Sequence, residues 1–164
     1  MINKALNHLE ELLITFLIGA ATVIIFISVA HRYMSGVDIP GLQDWLLTLD
    51  FGWAQELCII MFVWMAKFGA AYGVRTGIHV GVDLLAEQLT GAKRRLITTI
   101  AMSGGVLFTA ILTWIGTDFV IHVRHGGQTS PDLEIQMWLI YLAVPLGSAL
   151  MCFRFVQALH KFLT

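Results

Sequence analysis

The chain has 164 residues, of which 57% are apolar and 13% charged, with a formal net charge of −1. An ordinary soluble domain carries roughly 25% charged residues, and a soluble chain of this length could not hide so much apolar surface. The charges are clustered, and the uncharged stretches between them predict an all-α integral membrane protein of four transmembrane helices.

The first span is expected at about 11–31, because Leu12 to Ala30 carries no charge and, at about 1.5 Å per residue, nearly crosses a hydrocarbon core of about 30 Å. Lys4 ahead of this apolar run and Ser28, Val29 and Ala30 near its end also resemble a secretory leader, but Glu10 and Glu11 are wrong for a positive leader, so a retained span is expected. An outer loop follows at 32–52. Trp45, Leu46, Leu47 and Leu49 between Asp44 and Asp50 fit either a short amphipathic turn on the membrane surface or a plain solvated loop.

The second span is expected at about 53–74 despite Glu56 and Lys67. Glu56 lies within a turn of one end, and the long stem of Lys67 either snorkels to the other interface or carries its ammonium to a carboxylate or carbonyl of a partner. After it, Ile78, Val82, Leu85 and Leu89 recur at helical spacing while His79, Asp83 and Glu87 share another face, which predicts an amphipathic interfacial helix at about 77–91, closed by Gly91. Gly69, Gly73, Gly77 and Gly81 form one stripe at a spacing of four, suited to close helix packing either within this chain or against a partner. Lys93, Arg94 and Arg95 then meet lipid headgroups, with topology anchoring and specific lipid binding both open.

The third span is expected at about 95–121, an outer loop at 122–134, and the fourth span at about 135–158, with Trp138 and Tyr141 near an interface. Gly19, Gly104, Gly105 and Gly147 offer small faces through which the spans can also satisfy one another. Cys58 and Cys152 fall at different depths and are read as small apolar fillers.

Lys4, Arg75, Lys93, Arg94, Arg95, Arg154 and Lys161 fall on one side of this layout and only Arg32 and Arg124 on the other. Both termini are therefore expected in the cytoplasm. The opposite, acidic face holds Asp38, Asp44, Asp50, Glu56, Asp118, Asp132 and Glu134, and looks into the periplasm if the membrane is a bacterial inner membrane.

Nothing marks an enzyme or a pump. Catalytic, substrate-binding and metal residues are expected to be absent, as are cofactors and nucleic-acid partners, since phosphate loops, zinc spacings and nucleophile elbows do not occur. Lys67 is the ionisable group at mid-depth, and no broken helices recur in matching halves. A competing expectation is a redox anchor in which His31, His122 and His125, with Asp118, converge to hold haem or a metal.

The run from Trp53 through Glu56, Phe62, Val63 and Trp64, then Phe68, Gly69, Ala70 and Ala71, and on through Arg75, Gly77, His79, Val80, Val82 and Asp83 resembles the small membrane subunit of tripartite ATP-independent periplasmic (TRAP) transporters. Ser130 and Pro131, then Tyr141, Pro145, Gly147 and Arg154, follow in the same family's order. The resemblance covers nearly the whole chain, and its most specific part is Trp64 to Asp83. Lys67, Tyr72 and the long outer loop look most like the branch serving C4-dicarboxylates.

The resemblance implies a multi-pass protein of the bacterial inner membrane with two protein partners. A periplasmic substrate-binding protein captures the substrate. A large membrane subunit moves it by a sodium-driven elevator motion, and the small subunit widens the immobile scaffold of that large partner. Arg75, His79, Asp83, Lys67, Gly69, Gly73 and Gly77 are then expected at the partner subunit or in structural roles, with His79 and Asp83 spaced to pair. Trp53, Glu56, Asp44, Asp50, Asp132 and Glu134 are expected to steady the large subunit or to face the binding protein, where rim charges mainly steer encounter.

Overall fold

The computed structural model describes residues 2–37, 41–76 and 91–163. Among these residues the chain is helical: α1 (Ile2–Ser35), α2 (Leu42–Leu47), α3 (Gly52–Thr76), α4 (Ala92–Gly126), α5 (Met137–Tyr141) and α6 (Ala143–Leu163). The one extended feature described is an isolated bridge between Thr129 and Gln136. Four stretches are long and apolar enough to cross a membrane: Leu6–Ser35, Gly52–Thr76, Lys93–Gly126 and Met137–Leu163.

The helices run further than uncharged sequence alone suggests. α1 continues outward through His8, Glu10 and Glu11, and α4 continues through His122, Arg124 and His125. A charge ends the part of a helix that lipid tolerates, but it does not end the hydrogen-bonded ladder. What ends α4 is Gly127, in the left-handed conformation at φ 59°, whose N–H donates to the Arg124 carbonyl. Within these spans the hydroxyls turn back onto their own helices. Thr22 donates to the Ile18 carbonyl at 2.7 Å, and Thr109, Thr113 and Thr117 donate to Gly105, Thr109 and Thr113 at 2.7, 2.8 and 2.7 Å. Such back-bonding satisfies a polar side chain where no water is available.

The chain divides into two units, one drawn from Met1–Met65 and Thr129–Gln136 and the other from Ala66–Gln128 and Met137–Thr164. In the first, α1 meets the start of α3 through small residues: Ala21, Ala54 and Cys58 are buried, and the Cys58 thiol donates to the Ala21 carbonyl. The connection between α1 and α3 is held by α2. Leu46 is buried, its carbonyl lies 2.9 Å from His31 Nε2, and the His31 ring packs on Phe51 with centroids 4.6 Å apart. Trp45 and Leu47 remain exposed, so the loop is a short helix with one residue anchored inward.

In the second unit α4 and α6 run antiparallel along a continuous seam. Arg95 Nη2 donates to the Leu163 carbonyl at one end, the Phe155 ring covers Gly105, and the Cys152 thiol donates to the Val106 carbonyl. Further along, Gly116 meets Val144 and Pro145, Phe119 meets Tyr141 edge to face, and the Arg124 guanidinium lies 5.2 Å from the Trp138 ring. Pro145 has no N–H to give the Tyr141 carbonyl, so the fourth span is interrupted at Leu142 between α5 and α6. Both cysteines are free thiols.

Candidate functional site

The N-terminal end of α3 carries a built polar arrangement. Oε2 of Glu56 accepts hydrogen bonds from the Asp132 and Leu133 amides, both at 2.9 Å. The loop it grips is closed on itself. Ser130 N–H donates to the Ile135 carbonyl at 2.8 Å, Ile135 N–H donates to Ser130 Oγ at 3.2 Å, and Glu134 takes a φ of 52°. Left-handed backbone at a residue other than glycine needs such surrounding support. Glu56 is thus turned onto its own chain, whereas Asp44, Asp132 and Glu134 are exposed on the same unit. Asp50 caps the start of α3, its carboxylate accepting from Gly52 N–H at 2.8 Å, and Trp53 Nε1 donates to the Asp50 carbonyl at 3.1 Å. Ser130, 2% exposed, stood in the sequence only as part of the family's Ser-Pro order ahead of the fourth span; its part in closing this loop is what the structure adds.

At the other end of α3, the Arg75 guanidinium lies 4.6 Å from the Tyr72 ring. Gly77, His79 and Asp83 lie outside the described residues, as do Asp38 and the expected interfacial helix up to Gly91. Gly91 itself has a φ of 64°, which favours glycine, and immediately precedes α4. Lys93, Arg94 and Arg95 are exposed in the first turn of α4.

Gly69 and Gly73 of α3 meet no neighbour among the described residues. A Cβ at Gly69 or at Gly73 would find nothing within 4 Å. Gly147 of α6 is the opposite case: its Cβ would stand 2.5 Å from Lys67 Cβ and 3.4 Å from Lys67 Cα, so only glycine lets the lysine stem pass. Among the described residues the Glu10 and Arg154 side chains are buried, at 2% and 3% exposure, and Arg154 Nη1 donates to Gln157 Oε1 at 3.0 Å.

A haem or metal centre on His31, His122 and His125 finds no support. His122 Nδ1 and His125 Nδ1 sit 3.1 and 2.7 Å from carbonyls one turn back on their own helix, His31 is engaged with Leu46, and no group of three metal-ligating side chains occurs among the described residues.

Residues 21–164 match the family model for the DctQ component of tripartite ATP-independent periplasmic transporters. The chain is 50% identical over 177 aligned positions to the C4-dicarboxylate TRAP transporter small permease protein DctQ of Rhodobacter capsulatus, covering 97% of this chain and 78% of that protein. It is 33% identical to the small permease protein of the same description from Pseudomonas aeruginosa, covering 95% of this chain and 83% of that one. A third relative is the isethionate TRAP transporter permease protein DctMQ of Oleidesulfovibrio alaskensis, 22% identical over 65% of this chain but only 17% of that protein.

Proposed function

Because the chain belongs to the DctQ-component family and is a small membrane subunit of a TRAP transporter, we propose that it is the fixed scaffold of a sodium-coupled uptake system for C4-dicarboxylates. The observation that carries this reading is the 50% identity, sustained over 97% of the chain, to a relative named for that substrate class. A periplasmic binding protein delivers the substrate, a large membrane subunit moves it, and this chain broadens the immobile part of the large subunit without touching substrate. The isethionate permease relative supports a large membrane partner, since the stretch matching this chain is a small part of one longer polypeptide.

Both termini face the cytoplasm of a bacterial cell on this reading, following the surplus of Lys and Arg on that side. Gly69 and Gly73, with Gly77, give the large subunit a flat helix face, and Arg75, His79 and Asp83 fix the chain's turn into an interfacial helix at 77–91. Lys93, Arg94 and Arg95 hold to headgroups. Asp44, Asp132 and Glu134 present negative charge to the binding protein, while Asp50 and Glu56 brace the segments that carry them, beside Trp53.

Reconstitution into liposomes tests the whole. Labelled succinate or fumarate should accumulate only when this chain, the large subunit and the binding protein are all present under an inward sodium gradient. Uptake by this chain unaided, or undiminished uptake without it, would overturn the proposal.

A further inference from the structure

Lys67 lies in the middle of an apolar helix. α3 has 25 residues, and Lys67 is about 15 residues from its first and about 9 from its last, or about 22 Å and about 13 Å along the axis. Helical side chains leave the backbone toward the helix N-terminus. The stem of Lys67 therefore sets out toward the more distant end of α3, the wrong direction for snorkelling to the nearer interface. Packing fixes that departure, because Gly147 is pressed against Lys67 Cα, Cβ and Cγ, with room for no side chain of its own. Among the described residues the ammonium has no hydrogen bond and no ion pair.

A lysine at the centre of a span costs roughly 2.5 to 3.5 kcal/mol on insertion scales and is usually paired or placed on a water-filled path. A carbonyl partner would leave the net charge uncompensated in a low dielectric, and a lipid phosphate lies at headgroup depth, where the stem does not lead. From this we infer that Lys67 is an intramembrane docking charge, seated by Gly147, whose ammonium pairs with a carboxylate of the large membrane subunit. The inference rests on the scaffold reading above and adds to it the chemistry of one contact.

Lys67→Met keeps the stem against Gly147 and removes the charge. Expressed alone, the Lys67→Met chain should accumulate in the membrane at least as well as wild type, because an unmatched cation has been taken out of lipid. Co-expressed with the large subunit, it should capture about tenfold less of it or worse, since a carboxylate is left alone in the interface. Treating the wild-type complex with an apolar carbodiimide should join Lys67 to an Asp or Glu of the large subunit, located by mass spectrometry of the cross-linked peptide.

Undiminished capture by Lys67→Met would overturn the docking charge, as would poorer accumulation of that variant when expressed alone. A cross-link from Lys67 to Asp83 or Glu87 of this same chain would overturn it as well. A wild-type chain that captures no large subunit sinks the scaffold reading itself, and the docking charge with it.

Discussion

Glu56 stands one turn inside α3 and gives one carboxylate oxygen to two amides 76 and 77 residues further along the chain. Removing the carboxylate should therefore free the loop. Glu56→Ala is expected to make the segment around Pro131 several-fold more open to protease added from the outer side, with Glu56→Gln intermediate because one carbonyl oxygen remains to accept. Equal cleavage of all three proteins would show that the loop is held by Ser130 alone. Ser148 makes the reverse case. It is fully buried and its hydroxyl has no partner among the described residues, so Ser148→Ala should stabilise the purified protein by about 1 kcal/mol in thermal unfolding followed by tryptophan fluorescence. Sequence marked Glu56 as a charge able to reach water, but it could not say which way the carboxylate turns; that depends on a loop brought in from the far end of the chain.

The α4–α6 seam is decided by which of two adjacent glycines faces it. A Cβ at Gly105 would stand 2.8 Å from the Phe155 ring, whereas one at Gly104 would meet no described residue within 4 Å. Gly105→Ala should therefore cost about 1–3 kcal/mol through overpacking, while Gly104→Ala should be neutral or stabilising by up to about 1 kcal/mol through helix propensity. Thermal melts of the two variants in the same detergent check the contrast. Gly69→Leu should leave the melting of the isolated chain unchanged, since no described residue lies within 4 Å of the added Cβ, and should lower capture of the large subunit if that face is the one it covers. The helices were legible because uncharged runs and spans have one physical cause, the price of a charge in lipid. Partner faces were less so: spacing placed Gly69 and Gly73 on a common stripe, but their emptiness and the crowding at Gly147 depend on how neighbouring helices approach. The short helix α2 was foreshadowed by Trp45 to Leu49, and the inward anchor Leu46 was not, because its partner is His31 at the end of another helix.

For the molecule as a whole, the expected TRAP family holds over nearly the entire chain, and so does the all-helical architecture with four helices able to span a membrane. The sidedness proposed above is open to direct measurement. In a chain with Cys58 and Cys152 replaced by alanine, His125→Cys should react with an impermeant maleimide from the periplasmic side of spheroplasts, and His160→Cys only after the membrane is breached; the opposite pattern would invert the topology. The histidine cluster misled at sequence level because spacing of three and four also describes imidazoles that bond back to their own helix. α4, finally, has 35 residues and is about 52 Å long, well beyond a hydrocarbon core of about 30 Å. The surplus is charged and stays in water, while the apolar middle of the rod answers a thinner or thicker bilayer by leaning further or standing straighter. Since glycine and aromatic contacts bind it along its length to α5 and α6 in turn, the three should lean together, and lipid thickness would set the slope of this strut without prising its members apart.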